Sequence, residues 1–209
     1  MKKRLSKIAL AFAALFTVCL PITAHAYTTA NRTPHLHIFE GFSTKDLIRL
    51  EDGSEWRAAT PNEAFIAYSW QPTVRDLYGV IQKLGDRITI TPNKGIFTSS
   101  SYYPFYLNNQ NDGSYIRVEP VASPIHFGAN SFWVFNKNMN LGYVYLASGG
   151  SEDLIPWEIS SSYYHLLKDW EPNDHIVVGV YDSFISFLSS YNYILINFNK
   201  AHFVQARPH

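Results

Sequence analysis

An internal repeat is the feature that most constrains how this chain can fold. The interval from Trp56 to Trp70 matches the interval from Trp157 to Trp170 to within a single position. Each tryptophan pair is followed by an Asp that opens an apolar run, by a Tyr-containing run and by an Asn. Large apolar residues shared by two copies of a module are most simply its buried core. We therefore expect the four tryptophans to lie in the cores of two related modules.

The spacing beyond the tryptophans also matches. The interval from Asp86 to Asn108 and the interval from Asp174 to Asn197 again differ by a single position. For the two aspartates we expect a structural role, because a carboxylate at the start of a strand can accept backbone N–H bonds from the preceding turn. The matched order favours a duplication of one module.

The first copy carries about twelve extra residues between its second tryptophan and its aspartate. We interpret residues 71–84 as an insertion and predict a helix from Val74 to Leu84 within it. Because these residues have no counterpart in the second copy, they are not needed to define the module.

Turn and capping signals identify further elements of the first module. Asp52-Gly53 lies between alternating residues and predicts a hairpin from Ile48 to Ala58, since Gly supplies the positive φ of a tight turn. Thr60, Pro61 and Glu63 match a helix start with a capping box. A short helix is expected there.

These patterns predict an all-β fold with a minor helical part, namely a tandem pair of small five-stranded, barrel-like modules that pack together after a signal peptide. The predicted order is a signal peptide (1–26), an N-terminal leader (27–46), the first module (47–120), a connector with apolar strands of its own (121–147) and the second module (148–209).

The segment from Met1 to Ala26 has the three parts of a secretory signal: a basic start, an apolar run from Ile8 to Leu20 and the small-residue site Ala24-His25-Ala26. We predict cleavage after Ala26 and export to the periplasm or outside the cell. The run is shorter than the roughly 20 residues that span a bilayer, so no transmembrane segment is expected in the mature chain. Lipidation at Cys19 is not favoured, because Val18 is a poor residue before a lipidated cysteine.

Removal of this segment changes the charge of the chain. The four basic residues it carries leave 13 basic and 17 acidic residues in the mature part, a net charge near −4. This charge argues against nucleic-acid binding, which needs a basic face. Since Cys19 is the only cysteine, the mature chain is also expected to have no disulfide and no thiol chemistry.

Catalytic motifs are absent from the sequence. It contains no Gly-x-Ser-x-Gly elbow, no phosphate-binding Gly-x-x-x-x-Gly-Lys loop and no His-Glu-x-x-His. We therefore predict a non-catalytic protein without a cofactor. The alternative is an envelope hydrolase whose site would be built from acids and from His35, His37, His126 or His175.

Asp174-His175, with Ser151 or Ser183 as the nucleophile, is a second form of that alternative. Adjacent strand residues face opposite sides, so this dipeptide cannot itself form the bond between carboxylate and imidazole. For a metal, His35 and His37 are the weak candidates, because residues two apart on a strand share a face. A pair of solvated histidines near a loose N-terminus is the favoured interpretation, because no third ligand is tied to them by spacing.

Ligand contacts are best sought where the two copies differ. The aromatic residues outside the repeat pattern are Trp133 in the connector, Tyr102 and Tyr103, and Tyr163 and Tyr164. Aromatic clusters of this composition are typical of interaction surfaces, although buried aromatics have the same composition.

The repeat resembles a module of small, uncharacterised exported bacterial proteins with the pattern Leu-x-Asp-Gly-Ser-x-Trp, Trp, Asp-x-Ile, Tyr and Asn. The residues that carry the resemblance are Leu50–Trp56, Trp170–Ile176, Tyr193 and Asn197. It covers most of 47–120 and, more weakly, 148–208, and it implies no activity or catalytic residues.

The leading functional hypothesis is therefore a binding or interaction module of the cell envelope that recognises a protein or a glycan. A structural component of a surface assembly is a further alternative.

Overall fold

The computed structural model describes residues 33–44, 46–93, 103–125, 131–149, 151–182 and 190–209. The predicted signal peptide lies outside the described residues, and so do Tyr102, His126 and Ser183.

The described chain is all-β with two short helices, which confirms the predicted fold class. The strands are β1 (His37–Thr44), β2 (Leu47–Leu50), β3 (Glu55–Ala58), β4 (Val74–Arg75), β5 (Ile81–Lys83), β6 (Arg87–Pro92), β7 (Phe105–Asn109), β8 (Tyr115–Ala122), β9 (Phe132–Asn138), β10 (Tyr143–Ser148), β11 (Ser151–Ile159), β12 (His175–Val180), β13 (Tyr193–Asn197) and β14 (His202–Pro208). The helices are α1 (Pro61–Ala67) and α2 (Tyr164–Leu167), and a 3-10 turn (Ser161–Tyr163) precedes α2. Neither helix approaches the length and hydropathy that crossing a bilayer would require.

The strands close into two barrels with the same topology. Barrel 1 has the order β1-β2-β3-β8-β7-β6, and barrel 2 has the order β9-β10-β11-β14-β13-β12. In both, the first strand closes the barrel by pairing antiparallel with the fourth, β1 with β6 and β9 with β12. Strands β4 and β5 form a separate hairpin that is inserted into barrel 1.

Each barrel has six strands, so the predicted five-stranded module was wrong. The strand β1 falls within residues 27–46, predicted as a leader, and β9 falls within residues 121–147, predicted as a connector. The first strand of each barrel contains a bulge, at Glu40 in β1 and at Phe135 in β9. The apolar strands predicted in the connector correspond to β9 and β10, so the error for β9 was its assignment to a connector and not to a barrel. In β1 the bulge breaks the two-residue alternation of side chains that identifies a strand.

The four repeated tryptophans lie in the core, as predicted. Trp56, Trp70, Trp157 and Trp170 are each exposed by 2 % or less. Trp70 packs edge-to-face against Phe39 with ring centroids 5.7 Å apart. Such pairs add to the stabilisation from apolar burial alone.

The predicted turn and helix start in barrel 1 are confirmed. Gly53 has a φ of 85°, and Asp52 Oδ1 accepts the Ser54 backbone N–H at 2.8 Å. At the start of α1, Thr60 Oγ1 accepts the Glu63 backbone N–H at 3.2 Å.

The insertion is a β-hairpin, so the helix predicted from Val74 to Leu84 was wrong. Asp76 Oδ1 accepts backbone N–H groups of Tyr78 and Val80, each at 2.9 Å, and Gly79 has a φ of 79°. A side-chain cap of this kind and a left-handed glycine favour a tight turn over a helix.

A buried hydrogen-bond network joins the second tryptophan of barrel 1 to the strands that follow. Asp86 Oδ2 accepts the backbone N–H of Gln71, next to Trp70, at 3.0 Å and Nδ2 of Asn109 at 2.8 Å. Asp86 therefore has the predicted structural role, although the backbone N–H that it accepts belongs to Gln71, before the β4–β5 hairpin, and not to the turn directly before β6.

Barrel 2 contains the same network. Asp174 Oδ2 accepts the Glu171 backbone N–H at 2.9 Å and Asn197 Nδ2 at 2.8 Å. The counterpart of Asn197 is therefore Asn109, and the match to Asn108 was off by one. With Asn109 in that place, the bonded Asp and Asn are equally far apart along the chain in both barrels.

The two barrels share an apolar boundary. Trp56 of barrel 1 packs edge-to-face on Phe198 of barrel 2, with centroids 5.1 Å apart. Strand β12 lies so close to β6 that a Cβ on Gly179 would be 2.5 Å from the carbonyl oxygen of Ile90. Val177, on the outer face of β12, belongs to the same buried cluster as the barrel 1 core.

Candidate functional site

Exposed apolar side chains are concentrated on one flank of barrel 1. Among the described residues, eight of the 14 exposed large apolar side chains fall within residues 65–84. We call this surface the hairpin flank. Its members are Phe65, Ile66 and Tyr68 from α1 and its C-terminal end, and Val74, Leu77, Tyr78, Val80 and Leu84 from the β4–β5 insertion.

The tip of the hairpin carries the most exposed members. Leu77 is 100 % exposed and Tyr78 is 92 % exposed. The turn that presents them is closed by backbone bonds from Asp76 N–H to Val80 O and from Gly79 N–H to Asp76 O, at 2.9 and 3.0 Å. An aliphatic and an aromatic side chain are thus held in solvent on a closed turn, where they bury no surface within the described chain.

The base of the hairpin is attached to β1. The Thr73 backbone N–H donates to the carbonyl of Phe39 at 3.0 Å, and Thr73 Oγ1 accepts the Gly85 N–H at 3.1 Å. Arg75 forms an ion pair with Glu40 on β1 at 2.9 Å. Both ends of the insertion are therefore bonded to the barrel, and its direction is set by the barrel.

The helical part of the flank reaches the same strand. Tyr68 packs on Phe42 of β1 with ring centroids 4.6 Å apart, and Phe65 lies edge-on to Tyr68 at 6.4 Å. The base of the hairpin and the C-terminal end of α1 thus both contact β1, the hairpin at Phe39 and Glu40 and Tyr68 at Phe42.

Two ion pairs lie beside the flank, Glu63–Arg117 and Arg75–Glu40. Glu63 in the first turn of α1 pairs with Arg117 at 2.8 Å. Partial burial opposes its ionisation, but hydrogen bonds from Arg117 and Thr60 outweigh burial and lower the pKa of Glu63. With this pair and Arg75–Glu40 compensated, the flank offers mainly apolar contact area.

The aromatic residues predicted to bind a ligand occupy separate elements. Trp133 lies on β9 and is buried. Tyr103 precedes β7, while Tyr163 and Tyr164 lie in the helical segment after β11, and all three are half-buried. Tyr163 packs towards Phe203, with ring centroids 6.3 Å apart. Their role as ligand contacts stays a prediction.

Two of the histidines predicted as metal or hydrolase candidates, His35 and His37, make contacts with barrel 2. His37 is buried, and its Nε2 lies 2.8 Å from the carbonyl oxygen of Val178. His35 is half-buried and packs against Tyr193, with ring centroids 5.1 Å apart. Within the described ranges, no three His, Cys, Asp or Glu side chains form a group that could hold a metal ion.

The Asp174-His175 dipeptide does not form a catalytic pair in this structure. The Asp174 carboxylate is bonded to Asn197 and to the Glu171 backbone, while the His175 backbone N–H donates to Asn199 Oδ1 at 2.7 Å. These contacts give Asp174 a structural role within barrel 2.

The sequence did not identify the hairpin flank as a site. The sequence nevertheless contains a signal for it. Asp76 and Gly79 flank Leu77-Tyr78, and all four lie in the insertion that the second copy lacks. A turn signature inside an insertion, with large apolar residues at its centre, indicates a loop that presents them to solvent.

Comparisons with protein-family models, curated proteins and solved structures found no match for this chain. The resemblance to small exported bacterial proteins stays a prediction.

Proposed function

We propose that this chain is a non-catalytic binding protein of the cell envelope and that it takes a protein partner on the hairpin flank. The observation that carries the proposal is that five of the eight exposed apolar side chains of the flank lie on the β4–β5 insertion, whereas the same connection in barrel 2 is only residues 171–173. Large exposed apolar side chains grouped on one element are typical of an interaction site.

The chemistry of the flank favours a protein over a glycan. Five of its eight side chains are aliphatic, and aliphatic groups offer neither a flat face for a sugar ring nor hydrogen bonds for its hydroxyls. Tyr78 and Leu77, side by side on a rigid turn, match the anchors that fill an apolar pocket on a partner protein.

We also infer that the two barrels arose by duplication of one module and that the mature chain begins after the signal peptide. Equal strand order and the same Asp–Asn network support the duplication. Export follows from the sequence of Met1 to Ala26. If the barrels arose by duplication, barrel 2 keeps the module without an insertion, and barrel 1 has gained the β4–β5 hairpin as a binding element.

A photo-crosslinking residue at Tyr78 tests this function in cells that make the protein. The matched control places the same residue at Leu141, which is 60 % exposed in the turn between β9 and β10. We expect one protein adduct of defined mass at position 78 and none of that mass at position 141.

Competition makes the assay specific. Purified wild-type protein should suppress the adduct in a saturable way. A Leu77→Ser/Tyr78→Ser variant should compete about 30-fold less well, as expected for the loss of an interface anchor. Equal competition by both proteins, a glycan or lipid adduct, or the same adduct at both positions would each contradict the proposal.

A further inference from the structure

A buried charged cluster lies at the boundary between the two barrels. It consists of His37 on β1 and of Glu51 and Asp52 in the turn between β2 and β3. His37 and Asp52 are each 1 % exposed, and the Glu51 side chain is 8 % exposed. We call these three residues the joint cluster.

The His37 ring connects the two barrels. Its Nδ1 faces the carboxylates of barrel 1, 3.6 Å from Glu51 Oε1 and 4.0 Å from Asp52 Oδ2. Its Nε2 faces barrel 2 and lies 2.8 Å from the Val178 carbonyl oxygen on β12. The two Nδ1 separations are ion-pair contacts and not hydrogen bonds, since Nδ1 has no hydrogen-bond partner among the described residues. Only the imidazolium form can donate to Val178 from Nε2 and also present a positively charged N–H to the carboxylates from Nδ1.

The carboxylates are held in place by backbone groups. Glu51 Oε2 accepts the Ile38 N–H at 2.6 Å, and Asp52 Oδ1 accepts the Ser54 N–H at 2.8 Å. Among the described residues around the ring, the segment before β1 adds one further titratable group, His35, and β12 presents the Val178 carbonyl. Burial, and then the charge of His37, lower the pKa of His35, so this neighbour is neutral.

Barrel 2 has no such cluster at the equivalent place. His37 pairs with Ile88 as Phe132 pairs with Ile176, so Phe132 occupies the position of His37. Because Leu50 and Leu146 are equivalent by register, Ala147 and Ser148 occupy the positions of Glu51 and Asp52. The cluster is therefore not a requirement of the barrel itself.

We propose that the joint cluster is a pH-dependent joint, in which a proton on His37 fastens barrel 1 to barrel 2 and its loss at alkaline pH loosens their contact. When the proton leaves, the ring can no longer face acceptors on both sides, and two buried carboxylates lose their counter-charge.

The direction of the titration agrees with this geometry. Burial opposes a charged ring, but the Glu51 and Asp52 carboxylates and the Val178 carbonyl outweigh it and raise the pKa of His37 to about 9. Since the folded value is above the ordinary 6.5, the stabilisation is complete below about pH 6.5 and is lost as the pH rises through 9. Burial raises the pKa of Asp52 from 3.8 to about 6, so its ionisation reduces the stability of the folded state with rising pH only between those values, below the range in which His37 titrates.

The test compares wild type with a variant that copies barrel 2, His37→Phe/Glu51→Ala/Asp52→Ser. In wild type we expect Tm to fall by roughly 5–10 °C between pH 6.5 and 9.5. Amides of β12 should exchange with solvent faster at the higher pH relative to those of β11. The triple variant should show neither change.

A second measurement covers the case in which the triple variant does not fold. We expect the His37 ring resonances of wild type to titrate near pH 9 and those of Glu51→Gln to titrate at clearly lower pH. The proposal is overturned if wild-type His37 titrates at or below pH 6.5, if Glu51→Gln leaves its midpoint unchanged, or if a folded triple variant keeps the wild-type pH dependence.

Discussion

Barrel 1 and barrel 2 have the same residues where a side chain hydrogen-bonds the backbone to close the barrel. Where they have different residues, no such bond is made. Each uses an Asp to accept the N–H of the residue after the second tryptophan and the side-chain amide of an Asn. The bulge of the first strand also falls at the same place in both. These features close the barrel, and their repetition shows which residues define the module.

The two barrels differ at positions whose side chains are not needed to close the barrel. Phe42 in barrel 1 packs on Tyr68, whereas Lys137 takes the equivalent position in barrel 2 and donates to the carbonyls of Leu167, Lys168 and Trp170 at 3.1, 2.5 and 2.6 Å. Barrel 2 thus satisfies a helix end with an ammonium group, where barrel 1 builds an aromatic surface.

The connection between the second tryptophan and the Asp shows the largest difference. The Asn173 backbone N–H donates to Val134 O at 2.7 Å, as the Thr73 N–H donates to Phe39 O. Thr73 and Asn173 are therefore equivalent, and the extra residues of barrel 1 are the twelve from 74 to 85. The candidate binding element is an addition to a complete barrel.

The core tryptophans give the largest predicted effects. Trp56→Ala and Trp157→Ala should each lower the free energy of unfolding by about 3–5 kcal/mol, because a large buried side chain is replaced by a cavity. Urea denaturation measures the loss. An effect below about 1 kcal/mol at either position would mean that the two tryptophans are not equivalent core residues.

The Asp–Asn network gives the next largest effect. Asp86→Ala and Asp174→Ala should each cost about 2–4 kcal/mol, since a buried amide and a backbone N–H lose their acceptor. Asn108→Ala serves as the control in barrel 1, because Asn109, not Asn108, bonds to Asp86. If Asn108→Ala costs as much as Asp86→Ala, the register of the repeat is wrong.

An ion pair whose charges are exchanged between the two barrels tests whether their surface strand positions are equivalent. Arg57 and Glu119 pair at 2.8 Å in barrel 1, and the equivalent positions in barrel 2 hold Glu158 and Arg207 at 2.6 Å. Arg57→Glu alone should cost less than about 1 kcal/mol, and adding Glu119→Arg should recover most of the loss. A double-mutant cycle measures the recovery, and its absence would contradict the equivalence of the two strand pairs.

The sequence was sufficient for features with a local chemical cause or a repeated pattern. The Asp52-Gly53 turn and the Thr60 cap follow from side chains that act within a few residues. The tryptophan core and the roles of Asp86 and Asp174 depend on distant residues, and they could be predicted because the two copies carry the same residue types at matched intervals. Strand β9 was predicted as an apolar strand, but its place in barrel 2 was not, because that place depends on pairing with β12, which is distant in the chain. Strand β1 was assigned to a leader, since its bulge breaks the alternation that marks a strand.

The insertion shows how a pattern can mislead. Val74, Leu77, Tyr78, Ile81 and Leu84 recur at intervals of three and four, which is helical spacing. Asp76 and Gly79 close a turn instead, and all of these apolar side chains except the half-buried Ile81 are exposed. Likewise, Asn108 and Asn109 are adjacent, and only the buried one makes the bond that defines the repeat.

Removing the insertion tests most directly whether the candidate binding element is an addition to a complete barrel. The variant deletes residues 74–85 and carries Thr73→Asn, so that barrel 1 receives the connection of barrel 2, in which Asn173 has a φ of 71°. We predict one cooperative urea transition with a free energy of unfolding within about 1 kcal/mol of wild type, because the shorter loop keeps the bond to Phe39. A loss above about 3 kcal/mol, or loss of cooperative unfolding, would show that barrel 1 depends on the hairpin and would contradict the account.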